Sequence, residues 1–285
     1  MLAVLLALGS SLAYGCSDFL GGLGARRAHV LRTVMIAAPV SLAVELVLWP
    51  VLGATWSASA LGWGAASGLA SAAAFALLYR TLAIGPMSVL SPVSAVVSAA
   101  LPVGVGLAQG EHLGAAAVAG IALALVAVVL VAGPGDDRDT RTGRPPARPG
   151  RSALLLAVAA GTAIALQLVC LDRAPADSGL APLVTGRAVS SVVTVAAALA
   201  LHRRLGPERP SLPIAAGAGA LDSLANLAFL LAVRSGDLAV VAVITALYPA
   251  GTVLLARTVL AERLGRTQLV GLGTAAASVC LLALG

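Results

Sequence analysis

The chain has 285 residues, of which 59% are hydrophobic and 11% charged, and its mean hydropathy is +0.99. A soluble domain carries about 25% charged residues, so this composition excludes an ordinary soluble fold and predicts an integral membrane protein in a lipid bilayer. The formal net charge is +6, but the arginines lie between apolar runs and form no basic face with interleaved aromatics, so no nucleic acid partner is expected.

Ten apolar runs are close to the length of about 20 residues that a membrane-spanning helix needs. The predicted spans are 2–22, 32–52, 61–80, 87–108 and 113–132, followed by 152–171, 180–201, 212–232, 238–259 and 267–284. The sequence therefore predicts an all-α, polytopic membrane protein with ten transmembrane helices, five in each half.

A polar segment, residues 133–151, separates the two halves. It reads GPGDDRDTRTGRPPARPGR, rich in Pro, Gly and charge with no apolar period, which is typical of a flexible linker. Its three aspartates lack the ligand spacing of a cation site, so no metal is expected there. The predicted organisation is a first repeat at 1–132, the linker, and a second repeat at 152–285.

The two halves are related by a shift of 151 positions without a gap. The shift aligns Gly85 with Gly236, Val89 with Val240, Ala95 with Ala246, Glu111 with Glu262, Leu113 with Leu264, Gly114 with Gly265, and Gly120 with Gly271. Each half has an odd number of spans, so the copies enter the membrane in opposite senses. Such inverted repeats are a frequent build of secondary transporters.

The distribution of arginines predicts the orientation of the chain in the membrane. Arginines cluster in the linker, after the first and seventh spans and around the ninth and tenth, whereas the opposite face carries few. Cytoplasmic loops hold the excess of Lys and Arg. The linker is therefore expected in the cytoplasm and both termini outside.

Four ionisable residues lie within predicted spans: Asp18, Glu45, Arg187 and Asp222. A charge at membrane depth is costly, so each of them is expected to be functional or paired. Nearby polar side chains join them, including Asn226 one helical turn after Asp222, and Gln167 adds an uncharged polar group. The candidate residues for binding substrate or a proton are Tyr14, Asp18, Glu45, Arg187, Asp222, Asn226 and Tyr248.

Depth arithmetic predicts one ion pair. Glu45 lies 7 residues before the end of its span and Arg187 lies 7 residues after the start of its own, at the same membrane face. At a rise of 1.5 Å per residue both sit about 10 Å deep, so we expect a Glu45–Arg187 pair between equivalent helices of the two halves. The alternative is that each side chain reaches the interface or pairs with another group.

Two carboxylates have less certain partners in the sequence. No positive neighbour is evident at the depth of Asp222, and an unpaired buried carboxylate favours its protonated form, which suits proton or cation binding. The alternative is a protonated carboxyl group hydrogen-bonded within the bundle. Asp18 lies nearer the basic face and either lines a site or meets Arg26 or interfacial water.

Two further features concern the helices themselves. Pro249 removes a backbone donor and is expected to kink the ninth span beside Tyr248, close to a substrate path. Glu111 and Glu262 stand at helix starts, where a carboxylate favours the positive end of the next helix. We therefore expect capping rather than substrate contact from this pair.

Residues that commonly act in catalysis or bind metals are present, but their spacing does not match a catalytic or metal-binding motif. The three histidines lie in loops, the three cysteines lie far apart, and no phosphate loop or nucleophile elbow occurs. The sequence predicts neither an enzyme nor a cofactor.

Several motifs resemble those of one family. These are Leu82-Ala83-Ile84-Gly85-Pro86-x-Ser88 with Gly110-Glu111-x-Leu113, Leu247-Tyr248-Pro249 with Glu262-Arg263-Leu264-Gly265 and Gly271, and the opening run Gly15 to Gly22. They resemble the EamA repeat of the ten-helix drug/metabolite transporter superfamily. The resemblance implies a multi-pass carrier of small metabolites or drugs in a bacterial plasma membrane, often an exporter, with both repeats around a central cavity.

The expected function is therefore secondary transport of a small molecule by alternating access, with protons as a candidate coupling ion. The alternatives are a lipid flippase or membrane enzyme on the same scaffold, and a receptor or assembly factor that transports nothing. Aromatic residues make up only 3% of the chain, which favours a small polar substrate over a large aromatic cation. The sequence gives no oligomeric state.

Overall fold

A computed structural model describes residues 1–84, 87–131, 151–202, 205–206, 208–252, 255 and 265–284, and no strand occurs within these ranges. The helices are α1 (Leu2–Arg27), α2 (Val30–Leu52), α3 (Ala58–Ile84), α4 (Met87–Ala108), α5 (Ala115–Val131), α6 (Arg151–Asp172), α7 (Ala181–Ala200), α8 (Leu212–Val233), α9 (Leu238–Thr245) and α10 (Arg266–Leu284). The prediction of an all-α protein is confirmed. Arg151, predicted as the last linker residue, begins α6, and residues 132–150 lie outside the described part.

Seven of the described helices are long and apolar enough to cross a bilayer: α1, α2, α3, α6, α7, α8 and α10. Three shorter apolar stretches join them, at Val93–Ala108, Ala115–Leu130 and Leu238–Thr252. Large aliphatic side chains such as Leu5, Val47 and Val192 stand exposed on the outside of the bundle. Lipid is the solvent in which such a surface is stable.

The ninth predicted span is interrupted in the structure. It was expected to run from 238 to 259 as one helix, but α9 ends at Thr245 and helix resumes only at residues 248–252. Pro249 has no N–H for the carbonyl of Thr245, and its ring crowds that carbonyl. The helix is interrupted here by a turn, in which the Leu247 N–H donates to the Ile244 carbonyl at 3.1 Å. Residues 253–254 and 256–259 lie outside the described part.

The two halves, α1–α5 and α6–α10, interlock in a regular way. The main contacts between them are α1 with α8, α3 with α6, α3 with α7, α2 with α8, α4 with α6, α1 with α9, α2 with α7, α4 with α9, and α5 with α10. Helices five apart in the order are equivalent, so α1 corresponds to α6, α2 to α7, and so on to α5 and α10. If each helix is replaced by its equivalent, every contact pair becomes either itself or another pair in the same list, as α1 with α8 becomes α6 with α3. The contacts between the halves are therefore symmetric under this exchange of helices.

Glycines allow two of these crossings to bring backbone against backbone. A Cβ on Gly68 of α3 would clash with the carbonyl oxygen of Gly186 on α7, and one on Gly219 of α8 would clash with that of Ala37 on α2. Small residues permit such close approach in membrane bundles. One helical turn beyond each contact the helices carry the polar side chains described below, so the two crossings fix the positions of those side chains.

At one end of the bundle, loops from the two halves are joined by hydrogen bonds. We call it the tied end and define it by residues 53–57, 109–114, 173–180 and 234–237. The Thr55 N–H donates to the Ser178 carbonyl at 3.0 Å, and the Leu180 N–H donates to the Gly53 carbonyl at 2.9 Å. On the second-half side, Arg234 Nη2 donates to Ser178 Oγ at 3.1 Å. These bonds hold the α2–α3 loop against the α6–α7 loop.

Glu111 makes the most specific contact at the tied end. Its Oε1 accepts from the Leu238 N–H at 2.8 Å and its Oε2 from the Ala239 N–H at 3.1 Å. The expected capping role was therefore assigned to the wrong helix, because Glu111 caps α9 of the other half and not the following α5. The N-cap residue of α9, Asp237, makes no side-chain cap bond, so Glu111 takes that role. Glu262 lies outside the described residues.

Candidate functional site

A buried arginine lies at the centre of the bundle between two carboxylates. Arg187 of α7 is 3% exposed, with Nη2 at 2.8 Å from Asp222 Oδ2 and Nε at 3.5 Å from Glu45 Oε1. Its Nη1 donates to Ser71 Oγ on α3 at 3.0 Å. The predicted Glu45–Arg187 pair is confirmed, although the shorter ion pair is the one with Asp222. We call Arg187, Glu45, Asp222 and Ser71 the Arg187 cluster.

The expectation that Asp222 has no positive neighbour is wrong. Arg187 and Asp222 lie on α7 and α8, and α2, which carries Glu45, packs against both helices. A single guanidinium therefore reaches two carboxylates on different helices. Depth along one span gives no information about which helices are neighbours, and this is why the second ion pair could not be foreseen.

Polar side chains complete the surroundings of Asp222. Asn226 Nδ2 donates to the Asp222 carbonyl at 2.8 Å and to Oδ1 at 3.3 Å, and Ser41 Oγ lies 3.5 Å from Oδ2. Gln167 Nε2 on α6 donates to Asn226 Oδ1 at 2.5 Å. Both oxygens of Asp222 are engaged, so this carboxylate is held as part of the scaffold of the site.

Glu45 is less completely satisfied. Its Oε1 faces Arg187 and accepts from Ser223 Oγ at 3.3 Å, whereas its buried Oε2 has no hydrogen-bond partner among the described residues. On another side of the guanidinium, the centroid of the Phe75 ring lies 5.9 Å from Cζ of Arg187. A cation near an aromatic face is attracted by the ring quadrupole. Arg187 thus joins α2, α3 and α8 to α7.

A cavity with about 520 Å³ of empty space, counted to its open mouth, lies beside the Arg187 cluster and between the two halves. Its wall contains Tyr14, Asp18, Ser71, Ala74, Phe75, Leu78 and Ser98 from the first half and Ile164, Gln167, Leu168, Asp222, Thr245, Ala246 and Tyr248 from the second. Both halves therefore contribute to one chamber, and the break after α9 forms part of its wall.

Three predicted candidates meet at this wall outside the cluster. Asp18 is buried on α1 and forms no hydrogen bond or ion pair with another residue in the described part of the chain, so it does not pair with Arg26 as one interpretation expected. The hydroxyl groups of Tyr14 and Tyr248 are buried and also have no partner within that part. An unsatisfied buried polar group is costly, and such groups along a cavity can serve a ligand.

The structure brings the seven predicted candidates to one region, in two layers. Contacts run from Glu45 to Arg187, from Arg187 to Asp222 and from Asp222 to Asn226, while the polar groups of Tyr14, Asp18 and Tyr248 lie at the cavity wall without a partner among the described residues. The sequence reasoning did not identify Ser71, Phe75, Ser98 and Thr245, because small hydroxyl and aromatic residues recur throughout apolar spans. No group of three or more His, Cys, Asp or Glu side chains that could hold a metal occurs within the described residues.

Comparison with known proteins gives a family match for the second half of the chain and a likeness of fold for nearly all of it. Residues 151–284 match the profile of a family described as the EamA-like transporter family. No curated protein matches the chain. One solved crystal structure superposes with a TM-score of 0.73 over 99% of this chain and 96% of the other, at 17% sequence identity, which is a likeness of fold. Together with the apolar helices, the family match makes the chain a multi-pass integral membrane protein.

Proposed function

We propose that the protein is a secondary active transporter of a small metabolite or drug, because residues 151–284 match the profile of the EamA-like transporter family. The observation that carries the proposal is the cavity, which lies between the halves and takes its polar groups from both. Binding sites of transporters built from repeats lie at the repeat interface and beside discontinuous helices. The turn between α9 and Pro249 is such a discontinuity.

The topology we propose is ten membrane crossings in two inverted five-helix repeats, at 1–132 and 152–285. The exchange symmetry of the contacts between the halves supports it. The arginine distribution supports a cytoplasmic linker and outside termini, which would put the tied end outside a bacterial plasma membrane.

Alternating access requires a closure on each side of the cavity that can be broken. We propose that the tied end is one such closure, since Glu111 joins the first half to the N-terminus of α9 by two hydrogen bonds. Those bonds involve a charged acceptor and two donors of a helix end, an arrangement strong enough to hold yet reversible in water. With the outside closed, the protein would load an exported compound from the cytoplasm.

Proton coupling, which the sequence suggested at Asp222, is better supported at Asp18. Asp222 has Arg187 at 2.8 Å and two hydrogen-bonding neighbours, so both of its oxygens are already engaged. Asp18 faces the cavity without a cationic partner in the described residues. A carboxylate in that position can exchange a proton as the cavity opens to one side and then the other.

The structure supports the flippase alternative less well than transport of a soluble compound. A lipid headgroup phosphate would need a free basic group at the cavity, and Arg187 is held by two carboxylates. We therefore retain transport of a soluble small molecule as the single proposed function.

The proposed transport function can be tested by measuring flux in proteoliposomes. Purified protein would be assayed with a panel of amino acids, neutral metabolites, organic anions and organic amines, with and without a pH gradient, and protein-free liposomes as the baseline. We expect saturable flux of one chemical class, accelerated by the gradient. Folded protein that moves no compound of the panel above the baseline would overturn the proposal.

A further inference from the structure

We propose that the cavity takes a small organic monocation, an alkylammonium or arylalkylammonium compound, whose ammonium group binds Asp18. This inference rests on the proposed transport function and names its substrate class. It is carried by charge, by unpaired polar atoms and by the composition of the cavity wall.

The buried charges around the cavity are not balanced among the described residues. Three buried carboxylates, Asp18, Glu45 and Asp222, surround the cavity and cluster, while Arg187 is the one guanidinium in contact with any of them in the described residues. Arg187 is bonded to Glu45 and Asp222, and it leaves Asp18 without a counter-charge. A buried carboxylate requires a cation or a proton. The single positive charge of Arg187 is shared by Glu45 and Asp222, so an ammonium group in the cavity would supply the cation that Asp18 lacks among the described residues.

Two tyrosine hydroxyl groups at the cavity also lack partners among the described residues. Tyr14 and Tyr248 line the same cavity as Asp18, and their buried oxygens have no hydrogen-bond partner among the described residues. A primary ammonium carries three donors, and a carboxylate with two phenol oxygens offers acceptors for all three. The aromatic rings add attraction for a cation. Two of the three tyrosines of the chain are used in this way, despite its low aromatic content.

The rest of the cavity wall is apolar or carries uncharged polar groups, apart from Asp222. The described lining contains no Arg, Lys or His, so an organic anion, or the carboxylate of a zwitterionic amino acid, finds no counter-charge there. Its apolar members, Ala74, Leu78, Ile164 and Leu168, form a surface for a hydrocarbon body. The chemistry that fits is one positive charge on a short apolar frame, which agrees with a small substrate but not with a purely polar one.

The test is binding and exchange of matched probes. Phenethylamine, 2-phenylethanol and phenylacetate share a frame and differ in charge, and each would be titrated by thermal stabilisation of the detergent-solubilised protein and then used in proteoliposome exchange. We expect phenethylamine alone to stabilise the protein and to exchange. Asp18→Asn should weaken its apparent Kd by about tenfold or more, since a hydrogen bond to a charged group contributes about 1.5–3 kcal/mol.

Control variants separate the site from general damage. Asp18→Glu keeps the charge and should retain most binding, whereas Glu208→Gln removes an exposed carboxylate and should change nothing. Tyr248→Phe deletes only an unpaired hydroxyl, so it should fold normally and weaken phenethylamine binding several-fold.

The outcomes distinguish the two proposals. Exchange of 2-phenylethanol or phenylacetate with no effect of phenethylamine would overturn the substrate class and leave transport standing. Phenethylamine binding that needs Asp18, without flux of any probe or of any compound in the wider panel, would support the site and overturn transport. Phenethylamine binding that is equal in Asp18→Asn and the wild type would overturn the assignment of Asp18.

Discussion

Arg187 Nη2 and Asp222 Oδ2 lie 2.8 Å apart in the interior of the bundle, and the same guanidinium reaches Glu45 at 3.5 Å. The three residues come from α7, α8 and α2, so the cluster joins helices of both halves. Buried ion pairs of this kind define a geometry more than they add stability. The cluster forms part of the scaffold that holds the cavity, which leaves Asp18 as the carboxylate available to a ligand.

Removing Arg187 should destabilise the protein strongly. Arg187→Leu leaves Glu45 and Asp222 buried without a counter-charge, and breaking a buried pair in this way costs about 3–5 kcal/mol. Thermal unfolding in detergent measures the effect as a lower Tm. The triple variant Arg187→Leu, Glu45→Gln and Asp222→Asn removes all three charges and should recover most of the loss. A triple variant no more stable than Arg187→Leu would contradict this account of the cluster.

Neutralising the two carboxylates separately should have unequal effects. Asp222 has the shorter ion pair together with Ser41 and Asn226, whereas Glu45 has the longer pair, Ser223 and one unpaired oxygen. Asp222→Asn should therefore lower Tm more than Glu45→Gln. Unfolding curves of the two variants, recorded in the same detergent, provide the comparison, and an equal or reversed order would be inconsistent with the geometry.

Loss of Glu111 should loosen the tied end. Glu111→Ala deletes both acceptors for the N–H groups of Leu238 and Ala239, so the two halves separate more readily there. Spin labels at His112 and Ser235, in a background with the three cysteines replaced by serine, would report the distance by pulsed electron resonance. We expect a broader distribution shifted to longer distances.

The control for that measurement is Asp237→Asn. Asp237 is also a carboxylate at the start of α9, but it makes no side-chain capping bond, so its replacement should leave the distance distribution unchanged. A distribution that responds to Asp237→Asn and not to Glu111→Ala would show that Glu111 does not hold this end together.

The close approach of α3 and α7 gives a steric prediction. Gly68→Ala puts a methyl group against the Gly186 carbonyl, which should cost about 1–3 kcal/mol of stability and move Ser71 away from Arg187. Gly62 lies on the same helix with nothing within 4 Å of an added Cβ. Gly62→Ala should therefore be neutral or slightly stabilising, by the helix preference of alanine. Equal unfolding temperatures for the two variants would argue against the crossing.

The sequence predicted correctly those features that depend on the residues of a single span, such as its limits and the depth of a charged residue. The limits of α4 agree with the predicted 87–108, and depth counting led to the Glu45–Arg187 pair. It was uninformative wherever neighbours decide the outcome. The partner of Asp222, the helix capped by Glu111 and the cavity residues Ser71 and Phe75 all depend on which helices touch, and hydropathy does not encode that. The turn after Thr245 was half foreseen, since Pro249 signals a disturbance but not a complete break.

The central claim is that the cavity between the halves is the path of transport, and plugging it tests that claim most directly. Ala74 lines the cavity, while Leu69 on the same helix is 56% exposed on the outer surface of the bundle. Proteoliposome exchange of the compound moved by the wild type would be compared for Ala74→Phe and Leu69→Phe, with each variant verified as folded. The account predicts that exchange falls by tenfold or more in Ala74→Phe and is preserved in Leu69→Phe. Undiminished exchange in Ala74→Phe would contradict it.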